Sequence, residues 1–438
     1  MSSQSEKSSQ SSSGVIPYGR QAIEEDDIQA VVRALRSDYL TCGKEVELFE
    51  QEFARMVGAK HAVAMNSATA ALHLAMKVLG VGPGHRVVTT PNTFVASANA
   101  AAYVGAIPDF SDISPASGNL DPQCLQQNWS GDTKAVVAVD YAGCPCDMPE
   151  ISRIARSHGA FVIEDACHAV GTMFHAEGHT WKTGSHRWAD ITTFSFHPVK
   201  TMTTGEGGML VTDNEEWAER ARLLRTHGIS RRPESFAGLV TALDHPGSPA
   251  GDSLRESLQE KGPWYYEMQE LGRNYRITDI QCALGRSQLE KLPRFIERRR
   301  QIARAYQRAL ADLPWLETPA LSHAVGSAAA DAAGEGFHYS LGDLSLHLYT
   351  VQMDFTRLRQ SRTEVMERLR SLGVGTQVLY IPVYLQPWYR TNYGYQPGKC
   401  PAAEQFYARA LSLPLYPAMT DDDVERVIAA VRSLGPQL

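Results

Sequence analysis

The sequence predicts an α/β fold, a mostly parallel central sheet covered by helices on both faces and followed by a smaller C-terminal α+β region. Three observations carry this. Short runs rich in Val and Ile alternate with helical patterns from about residue 15 to residue 285. Those runs are apolar throughout, as in strands buried on both faces. After about residue 285 the alternation stops and a long charged helical stretch takes over.

The elements follow in order. "HAVAM" (61–65) precedes the helical "NSATAALHLAMKVLG", and "RVVTTP" (86–91) precedes "TFVASANAAAYVG". "KAVVAVDYAG" (134–143) leads into a helix near 148–158, and "AFVIEDA" (160–166) follows it. Strand, helix and strand in repetition give parallel pairing through right-handed crossovers. "ITTFSF" and "GGMLVTD" add two further strands joined by a short loop. The Gly-rich "HAEGHTWKTGSH" (175–186) reads as a hairpin. The chain thus divides into a tail (1–14), a large region (15–285) and a small one (286–438). The small region opens on "RSQLEKLPRFIERRRQIARAYQRAL". It continues through an Ala/Gly-rich loop (323–337), the strand-like "LSLHLYTVQM" and a terminal helix from about 420.

Composition narrows the function. Hydrophobic residues make up 43% and charged residues 21%, with a formal net charge of −7 and no dense basic run, which speaks against nucleic acid as a partner. No apolar run approaches the roughly 20 residues that span a bilayer, so no membrane partner is expected. The start, "MSSQSEKSSQSSSG", lacks the apolar segment of a signal peptide and reads as a disordered tail. Seven scattered cysteines make no disulfide framework, and the chain reads as cytoplasmic and reduced. Cys144 and Cys146 lack the second pair that a zinc site needs, and His175, His179 and His186 lie in the hairpin, so no metal is expected.

In open α/β sheets ligands sit beyond the carboxyl ends of the strands. Asn66, Ser67, Ala68 and Thr69 follow one such end and open a helix. A plain N-cap is the favoured reading of that stretch alone, although the same geometry also cradles a phosphate. Asp165 ends "FVIED", where it is an N-cap, half of a salt bridge or a site acid. Ser195 closes the next strand, and Lys200 follows among Pro198, Thr203, Gly205, Gly207 and Gly208. A confined amine with a lowered pKa forms a Schiff base at neutral pH. Phe94, just past another strand end, is either core or a cover for a ring face. Phosphate donors, a carboxylate for a ring nitrogen and a Schiff-base lysine together specify pyridoxal 5′-phosphate (PLP).

The ordered motifs "LTCGKEVELFE", "NSATAALHLA", "TTPNTFVASANA", "VDYAG", "EDACHAVG", "SFHPVKTMTTGEGG", "RTHGI" and "NYRITDIQCALGRSQL" resemble the sugar aminotransferases of the DegT/DnrJ/EryC1/StrS family. The resemblance runs from residue 16 almost to the C-terminus and implies fold type I of the PLP enzymes. Within the family the chain looks most like the transaminases of pseudaminic acid biosynthesis, through "NSAT", "VDYAG", "SFHPVK" and "GPWYYEMQELGRNYR". That likeness implies transfer of an amino group from L-glutamate, leaving 2-oxoglutarate, to C4 of the UDP-ketosugar UDP-2-acetamido-2,6-dideoxy-β-L-arabino-hex-4-ulose. The alternative is another UDP- or dTDP-linked ketosugar.

The resemblance also implies roles. Lys200 matches the lysine that bonds the cofactor, Asp165 the partner of its ring nitrogen, and His168 the position near its O3′. Ser195 with Ser67, Ala68 and Thr69 matches the phosphate cup, and Phe94 the stacking aromatic. Asn274 matches a residue that reaches the phosphate from the neighbouring subunit, which implies a homodimer. Tyr18, the segment Asp38, Tyr39, Leu40 and Thr41, and the segment Gln377, Val378, Leu379 and Tyr380 match the lining of the sugar-nucleotide pocket. Two departures stand out. Leu379 occupies a position where many relatives have histidine, so a polar contact is absent or supplied elsewhere. The loop at about 230–262 is longer than in some relatives.

Rival readings fit less well. A dehydratase of the same family has histidine in place of Lys200. A regulator needs a basic helix-turn-helix, which the chain lacks. A dehydrogenase needs a Gly-rich turn between strand and helix, whereas "GVGPG" (80–84) runs from helix to strand.

Overall fold

The computed structural model describes residues 14–236, 262–325 and 336–435. The Ser/Gln tail up to residue 13 lies outside the described residues, as do 237–261 and 326–335, the larger parts of the two loops singled out in the sequence.

The first strands in chain order are β1 (His61–Met65), β2 (Arg86–Thr89), β3 (Ile107–Phe110), β4 (Thr133–Val139), β5 (Phe161–Asp165), β6 (Met173–Ala176), β7 (His179–Lys182), β8 (Ile191–Ser195) and β9 (Gly208–Thr212). Seven of them form one sheet in the order β1-β9-β8-β5-β4-β2-β3. The pairs β8–β5, β5–β4, β4–β2 and β2–β3 are parallel, and β9 runs antiparallel to both of its neighbours. The sheet is therefore mostly parallel, as the sequence predicts.

Continuous apolar runs arise because both faces are covered. In β1, Val63 and Met65 face one core cluster while Ala62 and Ala64 face another. In β4, Ala135, Val137 and Val139 join the first cluster, whereas Val136 and Ala138 turn the other way. A period-2 backbone with apolar side chains on both faces reads as an unbroken hydrophobic string. β6 and β7 pair as the hairpin expected around His175 and His179.

The helix Asp279–Leu310 is capped by Thr278, with Gln281 completing a reciprocal capping box, and it carries Pro293 internally. The junction expected at 285/286 lies inside this helix. Strands from the two sides of that junction also share a four-stranded sheet, in which Phe337–Tyr339 pairs with β6. Val136 and Val162 lie in one core cluster with Ile302, Tyr306 and Val351, so packing is continuous across the junction. A three-stranded antiparallel sheet, Leu316–Glu317 with Tyr349–Met353 and Ala410–Leu413, completes the C-terminal part. No described helix is long and apolar enough to cross a membrane.

The helix Lys44–Val57 packs on the outer face of β8 and β9 through Phe49 and Phe53, both fully buried. The Phe53 ring lies 5.0 Å from Phe194 and 5.3 Å from Phe196, the latter just ahead of the turn that carries Lys200. Phe53→Ala is expected to destabilise the protein by about 3–5 kcal/mol through lost burial and the residual cavity. A lowered urea midpoint, with PLP absent, checks this.

Candidate active site

A cavity of ≈ 550 Å³ opens at the carboxyl ends of β5 and β8, bounded by the start of the helix Ala68–Val78 and by the segment 377–380. Ser67 is the N-cap of that helix, its Oγ accepting from the Ala70 amide at 3.1 Å. The cap reading therefore holds for this side chain. Ala68 and Thr69, whose amides precede the first intrahelical acceptor, line the cavity beside it, the arrangement that binds anions. β9 passes directly behind them: a Cβ on Gly208 would stand 2.4 Å from the Ala68 nitrogen. Only glycine permits that approach.

Side-chain alternation decides between the two acids that end β5. Glu164 turns away and accepts from the Gly184 amide at 2.8 Å and from Thr192 Oγ1 at 2.9 Å. Asp165 turns into the cavity and is only 4% exposed. Its Oδ2 accepts from Ser97 Oγ at 2.7 Å and its Oδ1 from the Cys167 amide at 3.2 Å. Ser97 is itself held by Thr93 Oγ1 at 2.8 Å. The carboxylate is thus fixed in direction without being neutralised by a cation.

Lys200 lies in the loop between β8 and β9 and remains partly accessible from the cavity. Of the five residues expected to confine it, only Gly207 lines the cavity. Thr203 and Gly205 instead brace the turn, Thr203 Oγ1 donating to Phe196 O at 2.9 Å and accepting from the Gly205 amide at 2.9 Å. Burial lowers the amine below the ordinary lysine value, with Cys167 and Asp165 opposing that effect.

His168 is held neutral, well below the usual imidazole range, by burial and by the Lys200 charge. The Ala142 amide donates to His168 Nδ1 at 3.3 Å, so Nε2 carries the proton and donates to the Tyr380 oxygen at 3.1 Å. His347 packs 4.5 Å from the His168 ring and presents a buried Nδ1 with no partner among the described residues. At the position where many relatives have histidine, the Leu379 carbonyl accepts from Tyr141 Oη at 2.7 Å. Polar side chains near this position come from Gln377, Tyr380 and His347 instead.

Of the residues singled out in the sequence, Tyr18, Ser67, Ala68, Thr69, Phe94, Asp165, His168, Ser195, Lys200 and the segment 377–380 line this cavity. Asp38, Tyr39, Leu40, Thr41 and Asn274 do not. Asp38 and Tyr39 border a separate depression with Arg33, Lys44 and Asp279, and the exposed Leu40 bonds through its carbonyl to the Asp279 amide. Asn274 is exposed, its backbone bridged to Thr226. The lining also contains residues that the sequence reading missed, among them Thr93, Ser97, Cys167, His197, Glu206 and His347. Ser97 had a signal, standing one helical turn after Thr93 inside a quoted motif. His347 had none, because a histidine inside an apolar strand resembles core.

The model of the DegT/DnrJ/EryC1/StrS aminotransferase family matches residues 21–432. The chain belongs to this family. It is 40% identical over 420 residues to the spore coat polysaccharide biosynthesis protein SpsC of Bacillus subtilis, covering 96% of this chain and 97% of that protein. Among solved structures it is similar to Helicobacter pylori PseC, an aminotransferase involved in the biosynthesis of pseudoaminic acid (TM-score 0.78, 28% identity, 96% and 99% of the two chains). The PLP form of Spr1654 from Streptococcus pneumoniae is equally close in fold (TM-score 0.78, 26% identity, 96% and 98%). This DegT-family chain is a PLP-dependent sugar aminotransferase. The residues present fit that cofactor: an amine, a fixed carboxylate, an anion-binding helix start and an orphaned polar atom converge on one cavity.

Because Asp165 supports the charged amine, Asp165→Asn is expected to lower the Lys200 pKa further. Competitive acetylation of the cofactor-free protein across pH, read at the Lys200 peptide, measures it. The labelling midpoint moves to lower pH in the variant.

Proposed function

We propose that this aminotransferase moves an amino group from L-glutamate to C4 of a UDP-linked 4-keto-6-deoxy-N-acetylhexosamine, as in pseudaminic acid biosynthesis. The observation that carries the reading is that the Lys200 amine and the Asp165 carboxylate line one cavity together with Tyr18 and the segment 377–380.

In this reading Lys200 Nζ would bond the PLP aldehyde and Asp165 would pair with the ring nitrogen. Ser67, Thr69 and Ser195 would hold the phosphate, and Phe94 and His168 would flank the ring. When bound, PLP supplies an electron sink for the pair released as a substrate Cα–H bond breaks. Lys200 Nζ would hold and return that proton, for which its lowered pKa suits it. Ser97 and Cys167 keep the Asp165 oxygens directed. The neutral His168 donates toward Tyr380 and keeps that wall in register.

The enzyme acts as a homodimer in this reading, with Asn274 entering the partner's cavity. The exposed Trp264, Tyr266, Met268 and Leu271 on the same stretch support an apolar contact there. Seven free cysteines suit the reducing cytoplasm. In this reading residues 15–285 form the large PLP-binding part and 286–438 the small C-terminal part.

The 40% identity to SpsC favours a second reading, in which the acceptor is a different nucleotide-linked ketosugar used for a surface polysaccharide. Incubating the PLP-loaded protein with glutamate and a panel of UDP- and dTDP-4-ketosugars separates the two. Conversion of the UDP-N-acetyl ketosugar at a rate at least tenfold above the dTDP sugars is the expected result, read by mass and NMR of the amino sugar. Amination of dTDP sugars alone would contradict the UDP assignment.

A further inference from the structure

The helix Asp279–Leu310 places an arginine in the interior. Arg299 is 0% exposed and forms no ion pair with any carboxylate of the described residues. Burial alone shifts it, downward to about 9. A lone cation away from water costs several kcal/mol, and an apolar side chain of similar size is commonly as stable or more so. A merely structural brace has cheaper solutions.

What the guanidinium touches gives the charge a use. Nη1 donates to the carbonyls of Leu415 at 2.7 Å, His347 at 3.3 Å and Leu346 at 3.4 Å. Nη2 donates to the carbonyl of Lys200 at 3.4 Å. The Leu415 amide in turn donates to the Tyr18 carbonyl at 3.1 Å. Lys200, His347 and Tyr18 all line the cavity and come from three distant parts of the chain. Tyr306, two turns further along the same helix, donates to the Pro414 carbonyl at 2.9 Å and fixes the same tail.

We propose that Arg299 is a positioning residue for the Lys200 turn, joining three walls of the cavity through the backbone carbonyls of Lys200, His347 and Leu415. The proposal rests on the reading that Lys200 is the reactive lysine.

The groups that act on the amine's own charge are others: burial lowers it, and Cys167 and Asp165 oppose that. The Arg299 charge acts instead on His347, which burial, Lys200 and Arg299 together hold well below the usual imidazole range. Arg299 therefore serves the amine by holding its turn in place.

The test is competitive acetylation of Lys200 in the cofactor-free, full-length protein, for wild type, Arg299→Lys and Arg299→Met. Arg299→Lys keeps the charge but cannot reach all the carbonyls. Its labelling midpoint is expected to stay at the wild-type pH while PLP affinity falls at least tenfold. Arg299→Met loses charge and fork together, and its PLP affinity is expected to fall at least as far, again with the Lys200 midpoint in place. A midpoint that moves by roughly one pH unit or more in either variant would overturn the proposal, because Arg299 would then act through its charge. An Arg299→Lys protein with full PLP affinity would overturn it too, and it keeps the proposal testable if the methionine variant does not fold. Should Lys200 not be the cofactor's lysine, PLP would be trapped at another residue in wild type, a result independent of both titrations.

Discussion

Burial lowers the charge on the Lys200 amine, while the Asp165 carboxylate across the cavity supports it. The rest of the site is arranged around keeping those two opposed effects in place. Parallel strands bring both residues to one edge, because β5 and β8 are neighbours and run the same way. Asp165 is held by Ser97 and the Cys167 amide, donors that leave its charge intact. A salt bridge would have fixed the side chain equally well and cancelled the charge that the site uses.

The large sheet was legible because burial on both faces leaves unbroken apolar strings such as "VVAV" in β4, which few other structures produce. Asp165 and Lys200 were legible for the opposite reason, as polar residues closing apolar strands. The small residues around Lys200 were read correctly as tight geometry but given the wrong task. Thr203 and Gly205 shape the turn, and the cavity is lined by residues from other strands. Asp38 to Thr41 and Asn274 stand outside the cavity, and no local pattern in the sequence marks them as lying elsewhere.

Arg299 shows where sequence reading stops. It sits in "RRR", inside a charged helix whose polar residues suggest a solvated face. The helical period places it with Ile296, Ile302, Ala303 and Tyr306, all buried, whereas Arg298 and Arg300 reach outward to the Met419 and Leu344 carbonyls. Its partners are backbone carbonyls, which leave no trace in residue identity. Ser97 lies between these cases, since its i, i+4 relation to Thr93 is visible but its bond to Asp165 requires the tertiary fold.

Family membership constrains the chemistry more tightly than the acceptor sugar. The segment 377–380 lines the cavity, and there Leu379 contributes its carbonyl as acceptor to Tyr141. The account turns on a single covalent position. Borohydride reduction of the PLP-loaded protein, followed by peptide mass mapping, tests it most directly. The account predicts a stable pyridoxyl adduct on Lys200 and loss of the visible absorbance. An adduct on any other lysine, or none with PLP still bound, would contradict it.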